Sequence, residues 1–253
     1  MLLTVGAVVA LVAALVLLFA WYSTTSDFEH RVNAEVVKVL ENATGGRVEI
    51  RALHFHLWHL AVDVEGLVIH GLEGPGEAPY LSVDKVEAQV KIVSFFSHIT
   101  GSGLSSYVNL NSLTVEHPQF HLIVNQDGTT NQPVPKHPRT STTPVMDTLL
   151  DLKAGEVVLA NGLALVNDHA IPFDVAARDV AAEVHYIPAS DRYGATVDLE
   201  DLRTKLKQEP EARSVLHLEA EVGRDAAEVT HFSFASGENS HLEATASLTH
   251  FAK

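Results

Sequence analysis

The chain has 253 residues, of which 46% are hydrophobic and 19% charged, a composition typical of a folded protein that can bury a sizeable core. Its 32 acidic and 17 basic residues give a net charge of −15, which argues against nucleic acid as a partner. Cysteine is absent, which excludes disulfides, thiol catalysis and zinc–thiolate sites.

The first predicted element is a transmembrane anchor at residues 1–22. Residues 2–22 contain no charged side chain, and about 20 apolar residues are the length that a helix needs to cross membrane hydrocarbon. A cleaved signal peptide is the alternative, but no lysine or arginine precedes the run and the sequence ending at Ala20 is a poor cleavage site. We therefore expect an uncleaved anchor, with Trp21 and Tyr22 at the membrane interface.

The charges around this anchor bear on its orientation. No basic residue precedes the run, whereas Arg31 and Lys38 follow it. Lysine and arginine near a spanning helix mark its cytoplasmic side, so this count taken alone would place the body of the protein in the cytoplasm.

The second predicted element is an amphipathic helix over residues 26–44. Ser26 can act as its N-cap with Glu29 three residues later, and Gly45 and Gly46 end it. Its apolar residues recur every four positions, at Phe28, Val32, Val36 and Leu40. We expect this helix to cover one end of the sheet that follows.

From residue 46 onward the hydrophobic period is two, which predicts β-strands with one buried face. Alternation is clearest at residues 60–65, 86–92, 120–124, 216–222 and 242–248, with turn signals between these runs. The pattern predicts a mainly β, antiparallel body with a first unit at residues 46–130, a proline-rich loop at 131–146 and a second unit at 147–253. Residues 199–207 could instead form a short helix.

The histidines are the residues that most suggest chemistry. His54, His56 and His59 lie close together, but on a strand the first two point to one face and His59 to the other, so we expect no metal site there. The motifs of nucleophilic, nucleotide-binding and zinc-dependent enzymes are absent from the sequence. We therefore predict no catalytic residues, no cofactor and no enzymatic activity.

An apolar sheet face has to be covered by a second sheet, by helices or by a bound apolar ligand. Periodicity does not choose among the three, and a dry sandwich core is the usual outcome. By the alternation, one surface should carry a set of candidate residues for contact with lipid: Val86, Ala88, Val90, Ile92, Phe120, Leu122 and Val124.

Several segments together resemble the N-terminal region of the AsmA-like and TamB family of bacterial envelope proteins. After the apolar anchor these are GLVIHG at residues 66–71, VDKVE at 83–87, VEHP at 115–118 and VNQDGTTN at 124–131. A second unit of the same kind has GEVVL at 155–159, followed by the pairs at 167–168 and 172–173.

The resemblance implies an elongated, taco-like β-groove, anchored by a single pass in the bacterial inner membrane, with its body in the periplasm. It implies phospholipid as cargo, outer-membrane biogenesis as the process, and a partner in the outer-membrane assembly machinery. The alternative is a non-enzymatic assembly factor that binds β-rich client proteins by a sheet edge. Family members are much longer, so we expect this chain to be a fragment whose second unit is truncated.

Overall fold

The computed structural model of the protein describes residues 26–56, 60–90, 110–134, 155–171, 173–206, 209–224, 226–237 and 240–249. The predicted anchor at residues 1–22, with Trp21 and Tyr22, lies outside these ranges, as do His59 and Ile92. Within the ranges, no helix combines the length and the apolar character that crossing a membrane requires.

A single helix is described, α1 at Ser26–Thr44. Its last turn ends where the Thr44 hydroxyl donates to the Leu40 carbonyl at 2.8 Å and the Gly45 amide donates to the Glu41 carbonyl at 2.8 Å. Gly45 has a φ of 79°, the left-handed conformation that glycine adopts without steric cost at a helix C-terminus. The chain then turns directly into the first strand.

Eleven strands follow the helix in the described residues, and they account for most of the body. Their bounds are β1 Arg47–His56, β2 Ala61–His70, β3 Leu81–Val90, β4 Leu110–Glu116, β5 Gln119–Val124, β6 Glu156–Asp168, β7 Phe173–Ile187, β8 Arg192–Leu206, β9 Ala212–Val222, β10 Ala226–Ser236 and β11 Ser240–Thr249. The prediction of a mainly β protein is confirmed.

All eleven strands belong to one sheet, in the order β1-β2-β3-β4-β6-β7-β8-β9-β10-β11. β5 continues the line of β4 after a break at His117 and Pro118, because both strands pair antiparallel with β3 and parallel with β6. The other ladders are antiparallel. The sheet is therefore two antiparallel halves joined along one parallel ladder.

The two ends of this sheet are built differently. We call α1, β1, β2, β3, β5 and residues 125–134 the capped end, because α1 packs against β1 and Glu41 accepts a hydrogen bond from the Val48 amide at 3.2 Å. Most of the buried apolar side chains of the described residues lie at this end: Val48, Leu53, Ala61, Ile69, Val83 and Ile123. We call β9, β10 and β11 the open end, and all ten residues of β11 are exposed.

Asn131 connects two parts of the capped end by hydrogen bonds. Its side chain is 2% exposed, accepts a hydrogen bond from the Ile123 amide at 2.9 Å and donates one to the His121 carbonyl at 2.8 Å. Its own carbonyl accepts a hydrogen bond from the Leu72 amide at 2.7 Å, in the loop after β2. Asn131 thus joins β5, through its side-chain amide, to the β2–β3 connection, through its backbone carbonyl. Each of these buried polar groups has a hydrogen-bond partner.

The expectation of a short helix at residues 199–207 is wrong, since residues 199–206 complete β8. Residue 207 lies outside the described ranges. Leu199, Leu202 and Leu206 have a helix-like spacing. The β8–β9 ladder, however, has an irregularity between Leu199 and Leu202, and one extra residue in a strand converts a spacing of two into a spacing of three.

Candidate functional site

The register of the ladders brings the alternating apolar residues of the strands onto one face of the sheet. Directly paired residues lie on the same face, so the pairs can be followed from strand to strand. One such row crosses ten strands: Phe55, Val62, Ala88, Leu113, Val157, Val184, Ala195, Ala220, Val229 and Ala246. All ten members are apolar, and the row crosses the parallel ladder without a break.

A second row runs beside the first, two residues further along each strand except where β10 bulges. Its members are Leu53, Val64, Val86, Val115, Leu159, Ala182, Val197, Leu218, Phe232 and Ala244. We call the surface that these rows form the apolar face. Nine steps between strands at about 4.8 Å give it an extent of about 43 Å across the strands.

A bulge in β7 keeps later residues on the same surface. Arg178 and Asp179 are both exposed, and Asp179 has a φ of 54°, so the alternation shifts by one residue between Val180 and Ala177. Ala177 is 6% exposed and pairs with Ala164, which in turn pairs with Phe120. Followed through β6 and β7, Phe120 has the parity of the apolar face, whereas its partner on β3 is Leu81, five residues from Val86.

The structure places the predicted lipid-contact residues as follows. Val86 and Ala88 lie in the two rows, and Phe120, Leu122 and Val124 follow on β5, paired with Ala164, Val166 and Asp168. Val90 ends β3, where its backbone pairs with Leu110. Ile92 lies outside the described residues. That these residues share one surface stays a prediction.

Little protein covers this surface in the part of the chain that the structure describes. The substantial contacts between elements there join neighbouring strands of the sheet, apart from those of α1 with β1. Most residues of the two rows are only half-buried, and Leu242 and Leu248 of β11 are 55% and 58% exposed. A continuous, partly exposed apolar surface of this size is typical of a binding surface for an apolar partner.

The opposite side of the sheet, which we call the polar face, carries the charges. Lys85 contacts both Asp63 and Glu87, at 3.3 and 3.2 Å, and its hydrogen bonds to these two carboxylates raise the pKa of its ammonium group. On β9, His217 contacts Asp198 and Glu219, and the hydrogen bond with Asp198 is the main cause of the raised pKa of its imidazole. Charged groups here are mostly engaged with one another.

Among the described residues, a polar depression lies at the end of β8, β9 and β10 and is a candidate for chemistry. Glu200, Asp201, Arg213 and Ser214 line it. Next to it, Arg203 makes three donor–acceptor contacts of 2.7–2.9 Å with the Asp201 carboxylate, and these hydrogen bonds lower the pKa of Asp201. An ionised carboxylate held by a guanidinium is a structural ion pair and a poor general base, so this depression does not suggest catalysis.

The described residues contain no group of three or more histidine, aspartate or glutamate side chains that could hold a metal ion. His54 and His56 are exposed, and the His56 ring lies 3.3 Å from the Asp63 carboxylate. The prediction about the three histidines stays a prediction, because His59 lies outside the described ranges.

Sequence reasoning missed the half of the apolar face that β6 to β10 contribute. Val157, Val184, Val197 and Phe232 belong to its two rows. The alternation in these strands was enough to predict that every second residue faces the interior. It did not show that these residues lie on the same face of the sheet as the apolar residues of β3. No family model matches the chain, and no curated protein matches it.

Proposed function

We propose that this protein carries acyl chains of phospholipids along the apolar face of its sheet. In this proposal the sheet forms a taco-like groove, anchored in the bacterial inner membrane by residues 1–22, with its body in the periplasm. The protein moves lipid between membranes, supports outer-membrane biogenesis and catalyses no reaction.

The continuity of the apolar face is the observation that carries this proposal. Its two rows contain no polar or charged residue in any of the ten strands that they cross. A dry sandwich core needs a second layer, and among the described residues the one element outside the sheet with substantial contacts to it is α1, which packs against β1. An apolar chain that slides along the face would meet the same chemistry at every strand.

The dimensions of the face suit an acyl chain. On β9 the apolar band extends from Val222 to Leu216 and ends at Ser214. Six steps along the strand span about 20 Å, about two thirds of the about 30 Å hydrocarbon core of a bilayer. One lipid tail can therefore lie along a strand within the band, and its headgroup can stay in water at the strand ends.

The charge distribution supports the same function. The polar face carries Asp63, Glu87, Asp198 and Glu219, in a chain whose net charge is −15. A negative outer surface is repelled by anionic lipid headgroups, which favours contact with lipid only through the apolar face.

The periplasmic orientation rests on the family resemblance and not on the positive-inside count, which favours the cytoplasm. It is tested separately, by the reactivity of a single cysteine introduced at Thr245 towards a membrane-impermeant thiol reagent in intact cells with a permeabilised outer membrane. Labelling supports the periplasm, and labelling only after lysis contradicts it.

A pair of aspartate substitutions on β3 tests the groove. Ala88 lies in the first row between Val62 and Leu113, whereas Gln89 faces the other way between Ala61 and Ser112. In an open groove the Ala88→Asp protein stays folded, because its carboxylate can reach water, but it loses more than about tenfold of its co-purifying phospholipid, because a charge next to a lipid tail costs a few kcal/mol. Gln89→Asp should change neither property.

Two results would contradict the groove. If Ala88→Asp unfolds the protein, the surface is a closed core in which an unpaired charge costs several kcal/mol of a total stability of about 5–15 kcal/mol. If Ala88→Asp and Gln89→Asp retain equal amounts of phospholipid, the apolar face does not hold the lipid.

A further inference from the structure

Histidines stand beside many of the carboxylates of the sheet. Contacts of 3.8 Å or less join a ring nitrogen to a carboxylate oxygen at His56, His70, His117, His217 and His241. Lysine and arginine more often fill this role, because they are charged throughout the physiological range. A histidine is a cation only when protonated, and its ordinary pKa of about 6.5 falls within that range. The net charge of these pairs therefore depends on pH.

Six side chains on the polar face of β8 to β11 form what we call the histidine patch: His217, His231, His241, Asp198, Glu219 and Glu243. One row of directly paired residues crosses these strands as Asp198, His217, Ser233 and Glu243, and the next row pairs Glu219 with His231. Paired residues share a face of the sheet, so the patch is one surface.

Contacts within the patch bring histidines to its carboxylates. His217 contacts Asp198 through one ring nitrogen and lies 3.4 Å from Glu219 through the other. The His231 ring is centred 5.6 Å from the His217 ring, and the His241 ring lies 3.0 Å from the Glu243 carboxylate. A neutral imidazole leaves the charge of its carboxylate in place, whereas a protonated one cancels it.

The other charged groups of β8 to β10 next to the patch do not make it neutral. They are the carboxylates Glu200, Asp201, Glu221 and Glu228 and the cations Arg192, Arg203, Lys205 and Arg213. Arg203 is engaged with Asp201, and Arg192 lies 3.6 Å from Glu221. Together with those of the patch, the carboxylates outnumber these cations. The protonation of the three histidines thus decides whether this region is negative or close to neutral.

The same balance holds for the whole chain. Its net charge is −15 with neutral histidines, and it contains 15 histidines, so their full protonation would bring the net charge to zero. Within the patch, the hydrogen bond with Asp198 and then that with Glu219 raise the pKa of His217 above 6.5. The hydrogen bond with His241 lowers the pKa of Glu243, which keeps this carboxylate ionised. A fall from pH 8 to pH 6 therefore removes much of the negative charge.

The polar face is close enough to the apolar face for this change to act on a membrane. Among the described residues, β8 to β11 have substantial contacts only with neighbouring strands, so this part of the sheet is one layer. A layer of sheet is about 10 Å thick, which is about one Debye length at 0.1 M salt. Anionic headgroups near the apolar face are therefore repelled by the carboxylates behind it.

We propose that the polar-face histidines make lipid uptake from anionic membranes pH-dependent: the neutral face repels such a membrane, and the protonated face no longer does. The partner is a bilayer rich in anionic phospholipid. This inference rests on the proposed function, because it concerns the approach of the apolar face to a lipid surface.

The test measures the initial rate at which the full chain, held in a non-ionic amphipathic polymer, takes up a fluorescent phospholipid from vesicles. One set of vesicles is phosphatidylcholine, and the other is an equal mixture with phosphatidylglycerol. Uptake from the mixed vesicles should rise about fivefold between pH 8 and pH 6 at low salt, and uptake from phosphatidylcholine should stay constant.

Two variants of the patch sharpen the test. The triple variant His217→Gln, His231→Gln and His241→Gln cannot gain charge there and should lose at least half of the rise. The matched variant with lysine at the same three positions is charged at both pH values. Its uptake from mixed vesicles at pH 8 should approach that of the unmodified chain at pH 6. Circular dichroism checks that both variants fold.

The proposal is overturned by equal uptake from mixed vesicles at the two pH values, by the same rise with phosphatidylcholine, or by an unchanged rise in the glutamine variant. Attachment of the protein to the same vesicles is followed by flotation at short times. Attachment that depends on pH without any lipid uptake refutes the groove alone. Uptake from both kinds of vesicle without pH dependence refutes the role of the histidines and leaves the groove standing.

Discussion

At the capped end of the sheet, α1 lies against β1, the Glu41 carboxylate accepts from the Val48 amide, and Val48 and Leu53 are 4% and 3% exposed. At the open end, β11 has the same alternation of apolar and polar residues, yet Leu242 and Leu248 are more than half exposed. The same alternation of apolar and polar residues thus gives a buried core where α1 packs against the sheet. It gives an exposed apolar surface where no described element does. Stability should therefore be concentrated at the capped end, whereas the open end should contribute the most exposed part of the apolar face.

The largest difference between the ends should appear when leucines are truncated. Leu53→Ala removes a side chain that is 3% exposed and should lower the free energy of unfolding by about 3 kcal/mol, since a cavity remains. Leu248→Ala at the open end should cost less than about 1 kcal/mol. Urea unfolding followed by circular dichroism measures both. Equal losses would show that the open end is as closely packed as the capped end.

The next effect concerns the buried amide of Asn131. Asn131→Ala removes its hydrogen bonds with the Ile123 amide and the His121 carbonyl and should cost about 2 kcal/mol, because buried backbone groups lose their partners. The control is Asn125→Ala in the same hairpin, where the side chain is exposed and contacts Thr129. Asn131→Ala as mild as its control would mean that this residue does not hold the capped end.

A smaller loss of stability should follow from removing the hydrogen bond between Glu41 and the Val48 amide of β1. Glu41→Ala removes the acceptor of the Val48 amide and should cost about 1 kcal/mol, whereas Glu41→Gln retains an acceptor oxygen and should restore most of it. Hydrogen exchange at Val48 should accelerate in Glu41→Ala only. Glu35→Ala, which removes an exposed pair with Lys38, should leave exchange at Val48 unaffected. Slow exchange in all three variants would contradict the role of Glu41.

The smallest effect is a pH dependence of the open end. The pKa of His217 is raised above 6.5, first by its hydrogen bond with Asp198 and further by Glu219, while His231 lies with its ring 5.6 Å away. A raised folded-state pKa means that the native protein holds this proton more tightly, so the stabilisation is complete below about pH 6.5 and is lost as the pH rises through the folded pKa.

Hydrogen exchange of β9 and β10 amides should therefore be slower at pH 6 than at pH 8, after correction for the intrinsic rates. His217→Gln should remove the larger part of this difference, and His185→Gln on β7 should not. A difference that persists in His217→Gln would show that another group controls the open end.

Sequence alone predicted the strands where alternation was regular, as in β3 and β9. It also assigned Val86 and Ala88 to the apolar side of their strand. It failed where a bulge changed the spacing, at Leu199 and Leu202 of β8, because a local pattern does not reveal an extra residue in a ladder. It also predicted two units, and no local signal showed that β6 pairs parallel with β4 and β5 to join them into one sheet. Such pairing depends on contacts that are distant in sequence.

The most direct test of an open apolar face compares two neighbouring residues of β9. Leu218 lies in the second row, between Val197 and Phe232, and Glu219 points to the polar face. A photo-reactive amino acid replaces each in turn, the protein is irradiated in phospholipid vesicles, and the mass of the adduct is determined. We predict a covalent phospholipid adduct at residue 218 and none at 219. No adduct at 218, or equal adducts at both positions, would contradict the claim that the apolar face carries lipid.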